Sequence, residues 1–256
     1  MSLETLRSVR GFAHRGLHDS GAGIVENSPS AVQAAIQAGV GIEIDVQMSG
    51  DRVPMVFHDE ILSRLAGRDG RLAFMKASEL TTVPYRLGSD RIMTLEACLE
   101  MVAGKVPLLI EVKSHWHGKP QMELQLASLL NDYDGSFGVM SFDPEVVERV
   151  RGVGLDAPIG LVTEKCPPKD WPRLSEGERQ KGAVQFERAK DIGVDFMAHQ
   201  VGDLTNPFLL ELLAHLSCPL FGWTVDGAAR LEAVRKANAV PIFEGEAVPL
   251  LLPSVE

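Results

Sequence analysis

The chain has 256 residues, 45% hydrophobic and 23% charged, which excludes disordered and fibrous classes. Lys and Arg total 25 against 35 Asp and Glu, a net charge of −10 that argues against a general nucleic-acid binder. An acidic chain still binds a small anion wherever a cation or basic cluster reverses the sign locally.

The N-terminal run MSLETLRSVRG has no apolar core segment, so no signal peptide is expected, and no apolar run approaches the ~18 residues of a membrane helix. No stable membrane anchor is therefore expected. Cys98, Cys166 and Cys218 are few and far apart, and they read as reduced thiols of a cytoplasmic protein.

Short apolar runs at 9–13, 41–47, 53–57, 107–112, 137–141, 158–162, 194–198, 219–224 and 240–243 are candidate strands. Helix punctuation falls between most of them. Ser28-Pro29, Asp143-Pro144 and Asn206-Pro207 each set a capping side chain before a proline at the first helical position. Val32, Ala35 and Ile36 share one helix face, with Gly39 as its stop. Leu209, Leu210, Leu213 and Leu216 form a second such face, and Asp226 is placed to cap a helix running to Lys236. Strands alternating with helices predict βαβ units and a parallel sheet covered on both faces, as the run PLLIEV implies.

Nine strands are one too many for an eight-stranded barrel. Between Val46 and Val53 there is no room for a parallel crossover, so 41–48 and 53–58 are expected to form a hairpin about Ser49-Gly50-Asp51. Pairing Met48 with Val53 would set Asp45 opposite Val56 and Glu43 opposite His58. The remaining eight strands make a closed α/β barrel, a single domain over 1–256. Residues 60–93 interrupt the rhythm with Gly67, Gly70, Pro84 and Gly88 and only a short helical patch near Lys76–Leu80, which predicts a small insertion.

In such a barrel the reactive groups gather at the carboxyl ends of the strands. The first strand ends in His14-Arg15-Gly16. The second carries Glu43 and Asp45 on one face, the hairpin return ends in His58-Asp59, and the next strand carries Glu111 and Lys113. Three acids in apolar strands are costly unless paired, protonated or metal-bound. Converging on one rim, Glu43, Asp45 and Glu111 make an oxygen cage for one hard divalent cation, Mg2+ or Ca2+; ion pairing with Arg15 and Lys113 is the competing account. His14 and His58 are the natural proton-transfer pair. Arg15 and Lys113 would neutralise an anion beside the cation, or simply balance the acids. Glu26-Asn27 sits just before a helix start, where loop and cap chemistry would also explain it.

The ordered motifs HRG (14–16), EN (26–27), IEIDV (42–46), P-x-V-x-HD (54–59), TLE (94–96), IEVK (110–113), SFDP (141–144) and WTVD (223–226) resemble those of the bacterial glycerophosphodiester phosphodiesterases. The resemblance implies a TIM (β/α)8 barrel with a small insertion after the His-Asp hairpin. It implies hydrolysis of a small-molecule glycerophosphodiester to an alcohol and sn-glycerol 3-phosphate. By motif, Glu43, Asp45 and Glu111 would hold the cation, and His14 and His58 would be acid and base. Arg15 and Lys113 would bind phosphate, with Asn27 in the same pocket and Trp223 lining the cleft; core packing explains Trp223 equally simply.

Several stretches depart from the pattern. Val25 replaces the usual proline, and the last strand reads AVPIFEGEAVP, so the resemblance fades after Asp226. Ser114-His115-Trp116-His117, the run KCPPKDWP with Trp171, and the charged segment 173–191 are individual to this chain. These bear on substrate choice more than on reaction class. Two other readings stay open: an intracellular lysophospholipase D on the same barrel, and a non-catalytic barrel that binds glycerol phosphates.

Overall fold

The structure, a computed structural model, describes residues 3–114, 122–164 and 188–252. His115, His117, Cys166 and Trp171 lie outside the described residues. Among the described residues ten strands run in chain order: β1 (Phe12–Ala13), β2 (Gly41–Met48), β3 (Pro54–Val56), β4 (Met93–Thr94), β5 (Leu108–Val112), β6 (Phe137–Ser141), β7 (Ile159–Thr163), β8 (Phe196–Gln200), β9 (Leu220–Val225) and β10 (Val240–Phe243). β1 pairs in parallel with both β10 and β2, which closes a barrel of eight parallel strands. Helices lie between these strands, so the fold is a TIM barrel. β3 and β4 are added outside the barrel as antiparallel neighbours of β2.

The strand alternation separates two cores. Phe12, Leu109, Met140, Val162, Phe196, Phe221 and Ile242 fill the barrel interior, which Leu6 of α1 (Leu3–Arg7) closes at one end. A Cβ at Gly160 would lie 2.2 Å from the Phe196 ring, so only glycine lets that ring cross the interior. Ile42, Ile44 and Val46 face outward against Val32 and Ala35 of α2 (Pro29–Ala38) and Leu95 and Leu99 of a later helix. Glu43 and Asp45 alternate with these residues and therefore face inward.

Ser28, Asp143 and Asn206 accept backbone hydrogen bonds at their helix starts, and Gly39 ends α2 in the left-handed region. Asp226 does not cap. Gly227 takes the cap position, and the Asp226 carboxylate accepts from Arg230 at 2.8 Å one turn on. In the leucine-rich helix Pro207–Leu216, Leu209 and Leu212 are buried while Leu210 is half exposed.

The hairpin register is one residue away from the expected one. Met48 faces Pro54, Gln47 faces Met55 and Val46 faces Val56. The turn sets this. Ser49 N donates to Val53 O at 3.0 Å, Val53 N donates to the Ser49 hydroxyl at 2.9 Å, and Arg52 takes a left-handed φ of 65°. His58 is not governed by this slip, because β3 ends at Val56. The buried Gln47 amide donates to Phe57 O at 2.9 Å and Asp59 O at 2.8 Å and holds the loop that carries His58 at the rim.

Between β3 and β4 the chain builds a third apolar cluster from Leu62, Leu72, Met75, Leu80, Tyr85 and Ile92, packed on Met55 and Phe57. Its short helices are α3 (Ser63–Ala66) and α4 (Ala77–Leu80). Cys98 and Cys218 are unpaired thiols. Among the described residues no helix is long and apolar enough to cross a membrane.

Candidate active site

Parallel register places Asp45 beside Glu111, and Glu43 lies two residues before Asp45 on the same face. One carboxylate oxygen from each of Glu43, Asp45 and Glu111 lies within 4.8 Å of the other two. Glu43 and Asp45 are each 1% exposed. Arg15 N donates to Glu43 Oε2 at 2.9 Å, whereas the buried Glu43 Oε1 has no partner. Burial, together with the charges of Asp45 and Glu111, pushes the Glu43 carboxyl well above its ordinary range. An orphaned buried carboxylate oxygen beside two more acids is a donor set that a hard divalent cation fits.

Asp45 has the opposite environment. Lys113 Nζ lies 2.7 Å from its Oδ1 and Arg15 Nε 3.3 Å from its Oδ2. Burial opposes the Asp45 charge, but Lys113, His58 and Arg15 outweigh it and hold the carboxyl far below the usual range. Lys113 also donates to Glu111. Asn27 is fully buried and grips Asp45 twice: its amide donates to Oδ2 at 2.8 Å, and its carbonyl accepts from Asp45 N at 3.2 Å. The structure thus places Asn27 behind the cage as a support for Asp45.

Both histidines stand beside carboxylates. His14 Nδ1 donates to Glu244 Oε2 at 2.5 Å, and its Nε2 lies 4.0 Å from Glu43 Oε2. His58 Nδ1 donates to Asp59 Oδ1 at 2.8 Å. Burial pushes the His58 imidazole below its ordinary range, with Lys113 and Arg15 adding to that and Asp45 opposing it. Each ring therefore has its Nδ1 held by a carboxylate.

Glu26 accepts from Arg15 at 2.7 Å and from both terminal nitrogens of Arg64. Arg64, on α3, also donates to both oxygens of Asp59. The chain Arg15–Glu26–Arg64–Asp59–His58 thus links the two sides of the site. A cleft of about 480 Å³ opens beside it, lined by Gln47, His58, Asp59, Arg64, Lys113 and Ser114. Trp223 is half-buried on β9 and meets Phe142 edge-on at 5.4 Å, and Lys113 lies 6.0 Å from the Phe142 ring.

All nine residues singled out from sequence lie in this region. Glu244, Arg64 and Gln47 were not foreseen. An acid directly after the last barrel strand was the available signal for Glu244, because strand ends carry the chemistry in this fold.

A model of the glycerophosphoryl diester phosphodiesterase family matches residues 14–244. Glycerophosphodiester phosphodiesterase 1 of Homo sapiens is 25% identical over 251 residues, covering 85% of this chain and 72% of the relative. A glycerophosphodiester phosphodiesterase of Caldanaerobacter subterraneus subsp. tengcongensis is 26% identical over 250 residues, covering 94% and 95%. Among solved structures, an Oleispira antarctica phosphodiesterase in complex with the product sn-glycerol-3-phosphate superposes with a TM-score of 0.76 at 19% identity, over 95% of this chain and 96% of that one.

Proposed function

The chain belongs to the glycerophosphoryl diester phosphodiesterase family, and on that footing we propose how its own residues carry out the hydrolysis. The substrate is a small glycerophosphodiester and the products are an alcohol and sn-glycerol 3-phosphate, the product named in the Oleispira antarctica complex. Glu43, Asp45 and Glu111 would hold one divalent cation, Mg2+ or Ca2+ by the hardness of an all-oxygen donor set. When bound, that ion supplies Lewis acidity and offsets charge on the phosphoryl oxygens.

Arg15 and Lys113 are both tied to Asp45. They would receive the remaining phosphate oxygens and stabilise the extra negative charge of the transition state. One of His14 and His58 takes the proton of the attacking group and the other protonates the alkoxide as its P–O bond breaks; water attacks directly, or it opens a cyclic phosphate that the glycerol 2-hydroxyl forms first. Glu244 and Asp59 hold the distal nitrogen of each ring, which leaves the near nitrogen for substrate. Asn27 supports Asp45, and Trp223 with Phe142 forms an apolar wall beside Lys113. The unpaired thiols Cys98 and Cys218 suit a reducing compartment, so we place the reaction in the cytoplasm.

The observation that carries this reading is the unpartnered Glu43 Oε1 inside a three-acid cluster with a carboxylate-backed histidine on the same rim. A metal-supplemented panel of glycerophosphodiesters and lysolipids, with coupled detection of glycerol 3-phosphate and of the released alcohol, tests it. Metal-dependent release of glycerol 3-phosphate from glycerophosphodiesters is expected. Full activity in excess EDTA would overturn the metal assignment, and turnover of lysolipids alone would overturn the substrate class.

A further inference from the structure

Beside the carboxylate cage, a second group of donors converges from opposite ends of the chain. His14 and His18 come from the segment after β1, and Glu244 follows β10. Glu244 Oε2 lies 2.5 Å from His14 Nδ1 and 3.4 Å from His18 Nε2. One donor atom from each lies within 4.8 Å of the other two. The backbone holds the group firmly. His14 N donates to Phe243 O at 2.9 Å, His18 N donates to Gly16 O at 2.9 Å, and Gly16 turns at φ 79° where a Cβ would press on Ala31. The three side chains are 15%, 22% and 32% exposed, so an ion can reach them.

The chemistry of this group differs from that of the cage. Two imidazoles and a carboxylate are a borderline donor set of the kind that binds zinc, while the cage offers only oxygen. Tetrahedral zinc with bonds of about 2.0–2.1 Å spaces its ligands roughly 3.3 Å apart. The observed 2.5 and 3.4 Å separations lie on either side of that spacing, so these two donor pairs need move by less than an ångström.

We propose that His14, His18 and Glu244 form a second metal site, for zinc or a similar borderline transition ion, separate from the carboxylate cage. An ion on His14 Nδ1 keeps the ring proton on Nε2, so that nitrogen can no longer accept a proton, and the enzyme is switched off. The site stands on its own geometry; the inhibitory consequence rests on the proton-transfer role of His14 proposed above.

Co2+ serves as the optical probe. Added to protein saturated with Mg2+, it is expected to give the visible absorption of a four-coordinate site, abolished by one equivalent of Zn2+. His18→Ala is expected to weaken Co2+ binding at least about tenfold, since loss of a supporting contact alone costs that much at metal sites. His18→Cys keeps a ligand and adds a thiolate-to-Co2+ charge-transfer band, which covers the case in which the alanine variant folds poorly. In parallel, Zn2+ is expected to inhibit Mg2+-supported turnover in a way that excess Mg2+ does not relieve. His18→Ala should raise the inhibiting Zn2+ concentration at least about tenfold while retaining turnover. An absent Co2+ band, a band indifferent to both His18 variants, or inhibition relieved by Mg2+ and unchanged in His18→Ala would overturn the proposal. A Co2+ band that depends on His18, in protein without phosphodiesterase turnover, would uphold the site and overturn the function instead.

Discussion

Glu244 and His14 stand 230 positions apart in sequence and meet through a hydrogen bond of 2.5 Å from imidazole Nδ1 to carboxylate Oε2. Closure of the barrel makes the contact, because β10 lies directly beside β1. The carboxylate fixes which nitrogen bears the proton and turns Nε2 towards Glu43. An amide at this position can present its own N–H to the ring and select the wrong tautomer. Glu244→Gln is therefore expected to lower kcat by up to about 10⁴-fold with little change in KM, on the scale of a comparable exchange behind a catalytic histidine. Steady-state kinetics check this, and a near-normal kcat would leave Glu244 without a positioning role.

The orphaned Glu43 Oε1 gives a test that does not depend on turnover. Burial beside Asp45 and Glu111 already favours the protonated form of Glu43, which an amide resembles. Glu43→Gln should leave the metal-free protein as stable as wild type or slightly more so. Mg2+ or Ca2+ at 100 times its Kd should stabilise wild type by about 2.7 kcal/mol, roughly 5–10 °C in Tm for a domain of this size. That shift should vanish in Glu43→Gln. Thermal melts of both proteins with and without metal decide the matter; an equal shift in the two would remove Glu43 from the ligand set.

His58 supplies a pH-dependent test. Burial, Lys113 and Arg15 lower its pKa in the folded state, so its imidazole resists protonation there more than in the unfolded chain. The stability it contributes is present above the unfolded value of about 6.5 and is lost as pH falls through the folded one. An NMR titration of the His58 ring should give a midpoint below about 6.5. His58→Gln, which takes up no proton, should lose less stability between pH 7.5 and 5 than wild type does in denaturant melts. A midpoint at or above the free-histidine value would contradict the burial argument.

The legible parts of the site are those that strand alternation dictates. Glu43 and Asp45 flank Ile44, so if the isoleucine packs under helices the acids must face the barrel, and parallel register then brings Glu111 alongside. Caps at Ser28, Asp143 and Asn206 are equally local, and they follow from a polar side chain before proline. What escaped depends on contacts that no local pattern encodes. Glu244 follows a strand whose sequence departs from the familiar motif, and its importance arises only when the barrel closes. Arg64 is a half-exposed arginine without periodic context. The hairpin slipped by one because the Ser49 side chain, rather than strand composition, closes the turn. Asp226 has a capping side chain, yet Arg230 one turn later claims it.

Arg64 joins Glu26 to Asp59, and through them Arg15 to His58. Its side chain is 47% exposed, so the ion pairs themselves should contribute no more than about 1 kcal/mol to stability. Its effect on catalysis should be larger, because Asp59 and Glu26 each lose a bidentate anchor. Arg64→Ala is expected to lower kcat/KM about tenfold, the scale on which supporting contacts act at such sites. Arg64→Lys should recover only part of this, since an ammonium cannot serve two carboxylates through a planar fork. Kinetics alongside denaturant melts separate the two effects; a loss of rate that merely tracks the folded fraction would make Arg64 structural.

Asn27 and Arg15 both adopt φ 55°, and Asn27 N donates to Arg15 O at 2.7 Å, so the two left-handed residues brace each other behind the cage. Asparagine tolerates this region better than most side chains, while its amide satisfies both Asp45 Oδ2 and Asp45 N. Alanine would lose the buried hydrogen bonds, at about 1–3 kcal/mol, and add about 1–2 kcal/mol of backbone strain. Glycine would lose the same bonds without the strain. Asn27→Ala should therefore be less stable than Asn27→Gly by about 1 kcal/mol in denaturant melts. Both should bind metal more weakly than wild type, because Asp45 is no longer held. If the two variants were equally stable, backbone strain at position 27 would contribute nothing, and if metal affinity were unchanged, the grip of Asn27 on Asp45 would not matter to the cage.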